Sequence, residues 1–240
     1  PDRSHQRWGC VMTPKQAHYI TLDNAGNAIC QATGNVKTAT DAGPAGTSYQ
    51  LSADLLATRT TGQWHDGTGP ATGITSIEID SRKCCAGSLF IALPGATADG
   101  HEFIGAAARN GAVAALVTKP DANIALPQLV VTDVAVALDA LGTETRTAHA
   151  ATGGQLVGIT GSVGKTGSKE MLAHLLCRTP GSTGCVASRA SFNNHLGVPL
   201  TLSLLPDARS DTGVAPAVQE MGMNAAGEIS QLSRMARPDV

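Results

Sequence analysis

The chain has 240 residues, enough for one large domain or two ordinary ones with a buried core. It carries 17 basic and 19 acidic residues for a net charge of −2, a near-neutral balance that argues against nucleic acid as the main partner. Hydrophobic residues reach 42% and charged residues 15%, which excludes a chain disordered throughout. Residues 1–49 are polar, hold the cluster Gly43-Pro44-Ala45-Gly46-Thr47 and show no sustained helical or strand period. They are expected to form a poorly packed or disordered extension. A short helix is expected over Ser52–Thr58, with Ser52 as its N-cap.

From Thr75 the pattern sharpens. Ser76-Ile77-Glu78-Ile79-Asp80 alternates as a strand does, and Leu89-Phe90-Ile91-Ala92-Leu93 reads as a more buried one. Over His101–Asn110, Phe103, Ile104, Ala107 and Ala108 share one helical face, and Gly111 suits the position after the helix. Strands follow at Val113–Val117 and Leu129–Val131, then a helix capped by Asp133 and running from Val134 to about Thr147. Ala151-Thr152-Gly153-Gly154 reads as a hinge. Beyond it come a strand at Gln155–Thr160, a glycine loop, and a helix from about Lys165 to Arg178. That helix is expected to bury Met171, Leu172, Leu175 and Leu176. The apolar run Val214–Val218 reads as a strand with Glu220 at its C-terminal end and Pro216 tolerable only at its edge or start, and a last helix is expected over Ala226–Met235.

Strands alternating with helices indicate an α/β fold with parallel sheets. The expected domains are a poorly packed extension at 1–49, an α/β domain at 50–150, and the first part of a P-loop-type parallel-sheet domain at 151–240. Pro1 opens the chain where Met is usual, and Arg237-Pro238-Asp239-Val240 close it where an apolar strand begins, so both ends are expected to be cut. No apolar run of roughly 18 residues is present, so no membrane insertion is expected. Cys10, Cys30, Cys84, Cys85, Cys177 and Cys185 lack metal-ligand spacing and read as free thiols of a cytoplasmic protein.

The segment Gly158-Ile159-Thr160-Gly161-Ser162-Val163-Gly164-Lys165-Thr166 carries the chemistry. Strand, glycine turn and a helix opening on Lys-Thr make an anion cradle, in which backbone N–H groups and the helix N-terminus face phosphate oxygens. Lys165 would meet the β- and γ-phosphates, and the Thr166 hydroxyl would ligate Mg²⁺. Ile159 stands where the strict P-loop pattern places a glycine. A dinucleotide fingerprint is excluded, because Lys-Thr follows the last glycine.

With that offset glycine, Gly158 to Glu170 resembles the ATP loop of the muramyl peptide ligases. Three further blocks are similar to the dipeptide-adding branch of that family. They are Phe192-Asn193-Asn194-His195-Leu196-Gly197-Val198-Pro199-Leu200, then Glu220-Met221-Gly222-Met223-Asn224 with Gly227-Glu228-Ile229 and Arg237-Pro238-Asp239, and Asp80-Ser81-Arg82-Lys83 with Gly87 to Gly95 and Asp99-Gly100-His101. The resemblance covers roughly residues 50–240, with Ala225 standing where relatives often carry histidine.

The resemblance implies an ATP- and Mg²⁺-dependent ligase of cell-wall precursor synthesis, monomeric, joining D-alanyl-D-alanine to UDP-N-acetylmuramoyl-tripeptide through an acyl phosphate. It implies Lys165 and Glu220 as catalytic residues, and Thr166 and Glu220 as metal ligands. Thr160, Gly161, Ser162, Val163, Gly164, Lys165, Thr166, Asn193 and Asn194 would contact nucleotide, and Ser81 and Arg82 the UDP-sugar. Glu220 at the end of a strand suits this, since ligands of open α/β sheets bind at that edge. By the same family logic, the central domain continues past Val240 and a third domain receives the dipeptide. Two alternatives stand beside this reading: a non-catalytic nucleotide- or UDP-sugar-binding module, and a folylpolyglutamate-type ligase. The Asn-Asn-x-x-Gly-Val-Pro block disfavours the second.

Overall fold

A computed structural model of the chain describes residues 21–22, 28–29, 50–95, 98–178, 184–189, 192–207 and 214–240. The chain divides into two units, Pro1–Thr38 and Ala39–Val240. In the first, β1 (Thr21–Leu22) pairs antiparallel with β2 (Ala28–Ile29). The rest of the expected extension over 1–49 lies outside the described residues.

The second unit opens with α1 (Ala53–Thr60), where the Ser52 hydroxyl accepts from the Leu55 N–H at 3.2 Å as its N-cap. Four elements of the first sheet follow: β3 (Gln63–Trp64), β4 (Ser76–Glu78), β5 (Ser88–Ile91) and, after α2 (Ile104–Arg109), β6 (Ala112–Val117). Then come β7 (Gln128–Val130) and the long α3 (Val134–Ala151), capped by Asp133. The sheet order is β3-β7-β6-β5-β4, parallel throughout except for β3. Alternate residues of β5 and β6 serve opposite faces. Leu89, Ile91, Ala114 and Leu116 pack with α1 and α3, whereas Phe90, Ala115 and Val117 pack with Ile104 and Ala107 of α2. Burial on both faces is why these strands read as continuous apolar runs.

The second sheet is built from β8 (Leu156–Ile159), α4 (Lys165–Cys177), β9 (Val186–Ala187), α5 (Gly197–Leu202), β10 (Ala217–Glu220) and α6 (Glu228–Ala236). Its order is β8-β10-β9, all parallel. Pro216 precedes β10, where its carbonyl accepts from the Val186 N–H at 3.0 Å and its missing donor costs nothing. Asp239 and Val240 run along the other side of β8, with Asp239 N–H to Leu156 O at 2.8 Å and Gly158 N–H to Val240 O at 2.9 Å.

One expectation fails. Met171 and Leu175 of α4 are 65% and 59% exposed, and the side chain buried on that helix is Lys169. Lys169 faces a buried carboxylate, and at 3.6 residues per turn Leu172, Ala173 and Leu176 then share its half-buried face. Met171 and Leu175 are rotated outward. No helix among the described residues is long and apolar enough to cross a membrane.

α3 belongs to both sheets. Its Leu138 and Leu141 sit in the first core, while Gly142 lies against Pro199 of α5. Arg146 is buried and donates to the carbonyls of Ala236 and Arg237 and to Asp239, whose carboxylate in turn accepts from the Leu156 N–H. Ion pairs Arg59–Asp207 at 2.7 Å and Arg189–Glu78 at 2.6 Å add further ties between the two sheets.

Candidate active site

β8 delivers the loop Thr160–Gly164 to the carboxyl edge of the second sheet. The loop turns through Gly161 (φ 144°) and Gly164 (φ 78°), left-handed conformations that side-chain-bearing residues avoid. A Cβ on Gly164 would meet nothing within 4 Å, so the space over the loop is open. Thr160, Gly161, Ser162, Val163 and Gly164 are all exposed. Lys165 opens α4 and folds back, its Nζ donating to Gly161 O at 2.7 Å. An ammonium held over the loop and a helix N-terminus beneath it give the cradle its positive character.

β10 pairs with β8 in the register Glu220↔Ile159, so the last residue of β10 lies level with the start of the loop. Glu220 is 1% exposed. Its Oε2 accepts from the Thr166 hydroxyl at 3.0 Å, and its Oε1 from Asn193 Nδ2 at 2.9 Å. Lys169 Nζ stands 3.8 Å from Oε2, and the Glu220 N–H donates to Ser188 Oγ at 3.1 Å. Two oxygen donors, Thr166 and Glu220, thus converge beside the loop. That set suits Mg²⁺, which takes one or two protein oxygens and fills its other positions with phosphate and water. Among the described residues no cluster of three His, Cys, Asp or Glu side chains offers a fuller metal cage.

The asparagine pair divides its work. Asn193 reaches Glu220, whereas Asn194 Oδ1 accepts from the Leu196 and Gly197 N–H groups at 3.2 and 2.9 Å, ordering the start of α5. Ser81 and Arg82 lie elsewhere, in a 3₁₀ turn (Ser81–Lys83) after β4 of the first sheet. Arg82 is exposed and forks onto Asp80 at 2.9 and 2.8 Å, which holds the Asp80 carboxyl below its usual range. Arg189, one residue after Ser188, pairs with Glu78 at the end of β4 and so links the two regions. Lys169, Ser188 and the Glu78–Arg189 pair escaped sequence reasoning. The polar, mixed composition of α4 gave no signal that Lys169 would turn inward.

Comparison with known proteins meets this geometry. Residues 73–151 match the family description "Mur ligase family, catalytic domain", and residues 159–240 match "Mur ligase middle domain", between them more than half of the chain. This chain belongs to the Mur ligase family. Among curated Mur ligases it is 36% identical over 167 residues to UDP-N-acetylmuramoyl-tripeptide–D-alanyl-D-alanine ligase of Haemophilus influenzae, an alignment covering 69% of this chain and 35% of that protein. It is 37% identical to the Escherichia coli enzyme of the same name, covering 69% and 34%, and 38% identical to the one from Bacillus subtilis, covering 70% and 35%. The chain therefore spans about a third of the length of these relatives. Of solved Mur ligase structures, MurF from Acinetobacter baumannii superposes with a TM-score of 0.67 at 36% identity, over 79% of this chain and 39% of that one. MurF from Thermotoga maritima in complex with ADP gives 0.51 at 30% identity, over 68% and 36%.

Proposed function

We propose that this chain provides the UDP-substrate-binding part (50–150) and the first part of the ATP-binding domain (151–240) of a ligase that joins D-alanyl-D-alanine to UDP-N-acetylmuramoyl-tripeptide. The observation that carries the reading is the Thr166–Glu220 contact at 3.0 Å beside an open glycine loop bearing Lys165. The names of the relatives supply the substrates, and the ADP complex of the Thermotoga maritima protein supports an adenine nucleotide as ligand.

In this reading the loop amides from Thr160 to Gly164 cradle the phosphates. Lys165 leaves Gly161 O to neutralise charge on the transferring phosphoryl group. The tripeptide carboxylate attacks the γ-phosphate, ADP leaves, and the dipeptide amine then displaces phosphate from the acyl phosphate. Thr166 and Glu220 would hold Mg²⁺, which when bound supplies charge neutralisation between the phosphates. Asn193 keeps the Glu220 carboxylate turned toward Thr166, and Asn194 retains its amide N–H₂ for the nucleotide once Oδ1 has ordered α5. Ser81 and Arg82 take the UDP-sugar. Arg82 suits this because its guanidinium lies in solvent, already oriented by Asp80. The protein acts as a monomer in the cytoplasm, where ATP is available.

ADP binding with Mg²⁺, measured by calorimetry on the 240-residue chain, tests the nucleotide site. Lys165→Ala is expected to weaken it by about tenfold or more, the loss of one charged hydrogen-bonding contact. Adding ATP, Mg²⁺, UDP-N-acetylmuramoyl-tripeptide and D-alanyl-D-alanine and following phosphate release tests the ligase step. There Lys165→Ala should cost about 10²–10³ in rate. Unchanged ADP affinity in the variant would remove Lys165 from the site. Nucleotide binding without phosphate release would favour the binding-module reading for this length of chain.

A further inference from the structure

We infer that Lys169 is the positioning residue for Glu220, and through it for the bound divalent cation, an inference that rests on the nucleotide-site reading above. Lys169 has no exposed surface, although lysine is almost never fully buried without a partner. Its ammonium lies 3.8 Å from Glu220 Oε2 and 3.1 Å from Glu170 Oε1. The Glu170 side chain is half exposed, whereas the Glu220 side chain is as buried as the lysine that faces it. Thr166 and Lys169 are three residues apart on α4 and so share a helix face. Both address Oε2 of Glu220, while Asn193 holds Oε1 from the other side.

Stability alone is a poor account of this lysine. A buried ion pair rarely outperforms a well-packed apolar residue, and α4 has leucines and a methionine in neighbouring positions. An ammonium at this depth fixes where the carboxylate points. Lys165, one turn earlier, does the other job: it stands at the open loop on Gly161 O. The two lysines of α4 are thus separated by role, one facing phosphate and one setting the metal-ligand carboxylate.

The test compares calorimetric affinities for ADP with and without Mg²⁺ in the full chain. The variants are Lys169→Met, Lys169→Gln, Lys169→Arg, Glu220→Gln and the Lys169→Met/Glu220→Gln double. In Lys169→Met the tightening produced by Mg²⁺ should fall by about tenfold or more, as for removed partners of metal ligands, while Mg²⁺-free affinity stays within about twofold. Lys169→Arg should recover part of the loss, and the double variant should lose no more than Glu220→Gln alone. Thermal melting monitors folding; if Lys169→Met fails to fold, Lys169→Gln carries the same expectation. An Mg²⁺ effect undiminished in the neutral variants, or a double variant worse than Glu220→Gln, overturns the inference and leaves the nucleotide site standing. A wild-type chain without any Mg²⁺-dependent gain overturns both.

Discussion

Cys177, the last residue of α4, shares a hydrogen bond with Cys185, and this contact brings the Cys177 thiol down to about 7 while pushing Cys185 up. Burial raises Cys84 to about 12. At neutral pH, Cys177 is therefore expected to be alkylated by iodoacetamide well before Cys84 or Cys185, at a rate that climbs through pH 7. Peptide mapping of a labelling time course would show the order, and equal labelling of Cys84 would refute it. Residue chemistry was legible in the sequence where a motif fixed it. Lys165, Thr166 and the glycines announced an anion cradle because their spacing is local. Partners across the sheet were not legible. The Glu220–Asn193 and Glu220–Lys169 contacts join segments 27 and 51 residues apart, and only the parallel pairing of β8 with β10 brings the strand end level with the loop.

At the scale of elements, the α3–α5 packing depends on one glycine. A Cβ on Gly142 would lie 2.8 Å from Pro199 O and 3.0 Å from its Cα, against backbone that cannot rotate away. Gly→Ala in a helix normally stabilises by about 1 kcal/mol. Here overpacking should reverse the sign, and Gly142→Ala is expected to lower unfolding free energy by about 1–3 kcal/mol in urea titrations. A stabilised variant would mean that the helices separate without cost. Most elements were readable from period and punctuation: Ser52 and Asp133 cap the helices they were expected to cap, and β4 to β7 fall within a residue or two of their expected ranges. The face of α4 was not readable. Hydrophobicity alone selects Met171 and Leu175 for burial, whereas the charge of Glu220 turns Lys169 inward instead.

For the whole molecule, the seam between the two sheets is expected to respond to pH through His149. This histidine is fully buried near the C-terminal end of α3, with Nδ1 donating to Pro206 O at 2.7 Å. Burial lowers its pKa below the ordinary 6.5, outweighing the carbonyl contact. The unfolded chain accepts a proton near 6.5 and the folded chain resists it, so the stability this group contributes is complete above that pH and is lost as pH falls below it. The melting midpoint should decline on acidification from pH 7 toward 5, and His149→Gln should flatten that decline. An identical pH profile in the variant would assign the decline to other groups. The sequence showed two α/β segments but not how they are joined, because Arg146 and His149 reach partners dozens of residues away.

That joint changes what the glycine turn after α3 can do. Gly153 and Gly154 read as a swivel, yet Gly153 N–H bonds to Ala150 O and Gly154 N–H to His149 O, each at 2.9 Å. A Cβ on Gly154 would fall within 2.2 Å of the His149 ring. α3 is thus a lever with its first half embedded under one sheet and its second half bolted to the other. A swing of the two sheets cannot pivot on the glycines. It would have to part Pro199 from Gly142 or bend α3 itself, so the contact that joins the two helices also resists their relative rotation.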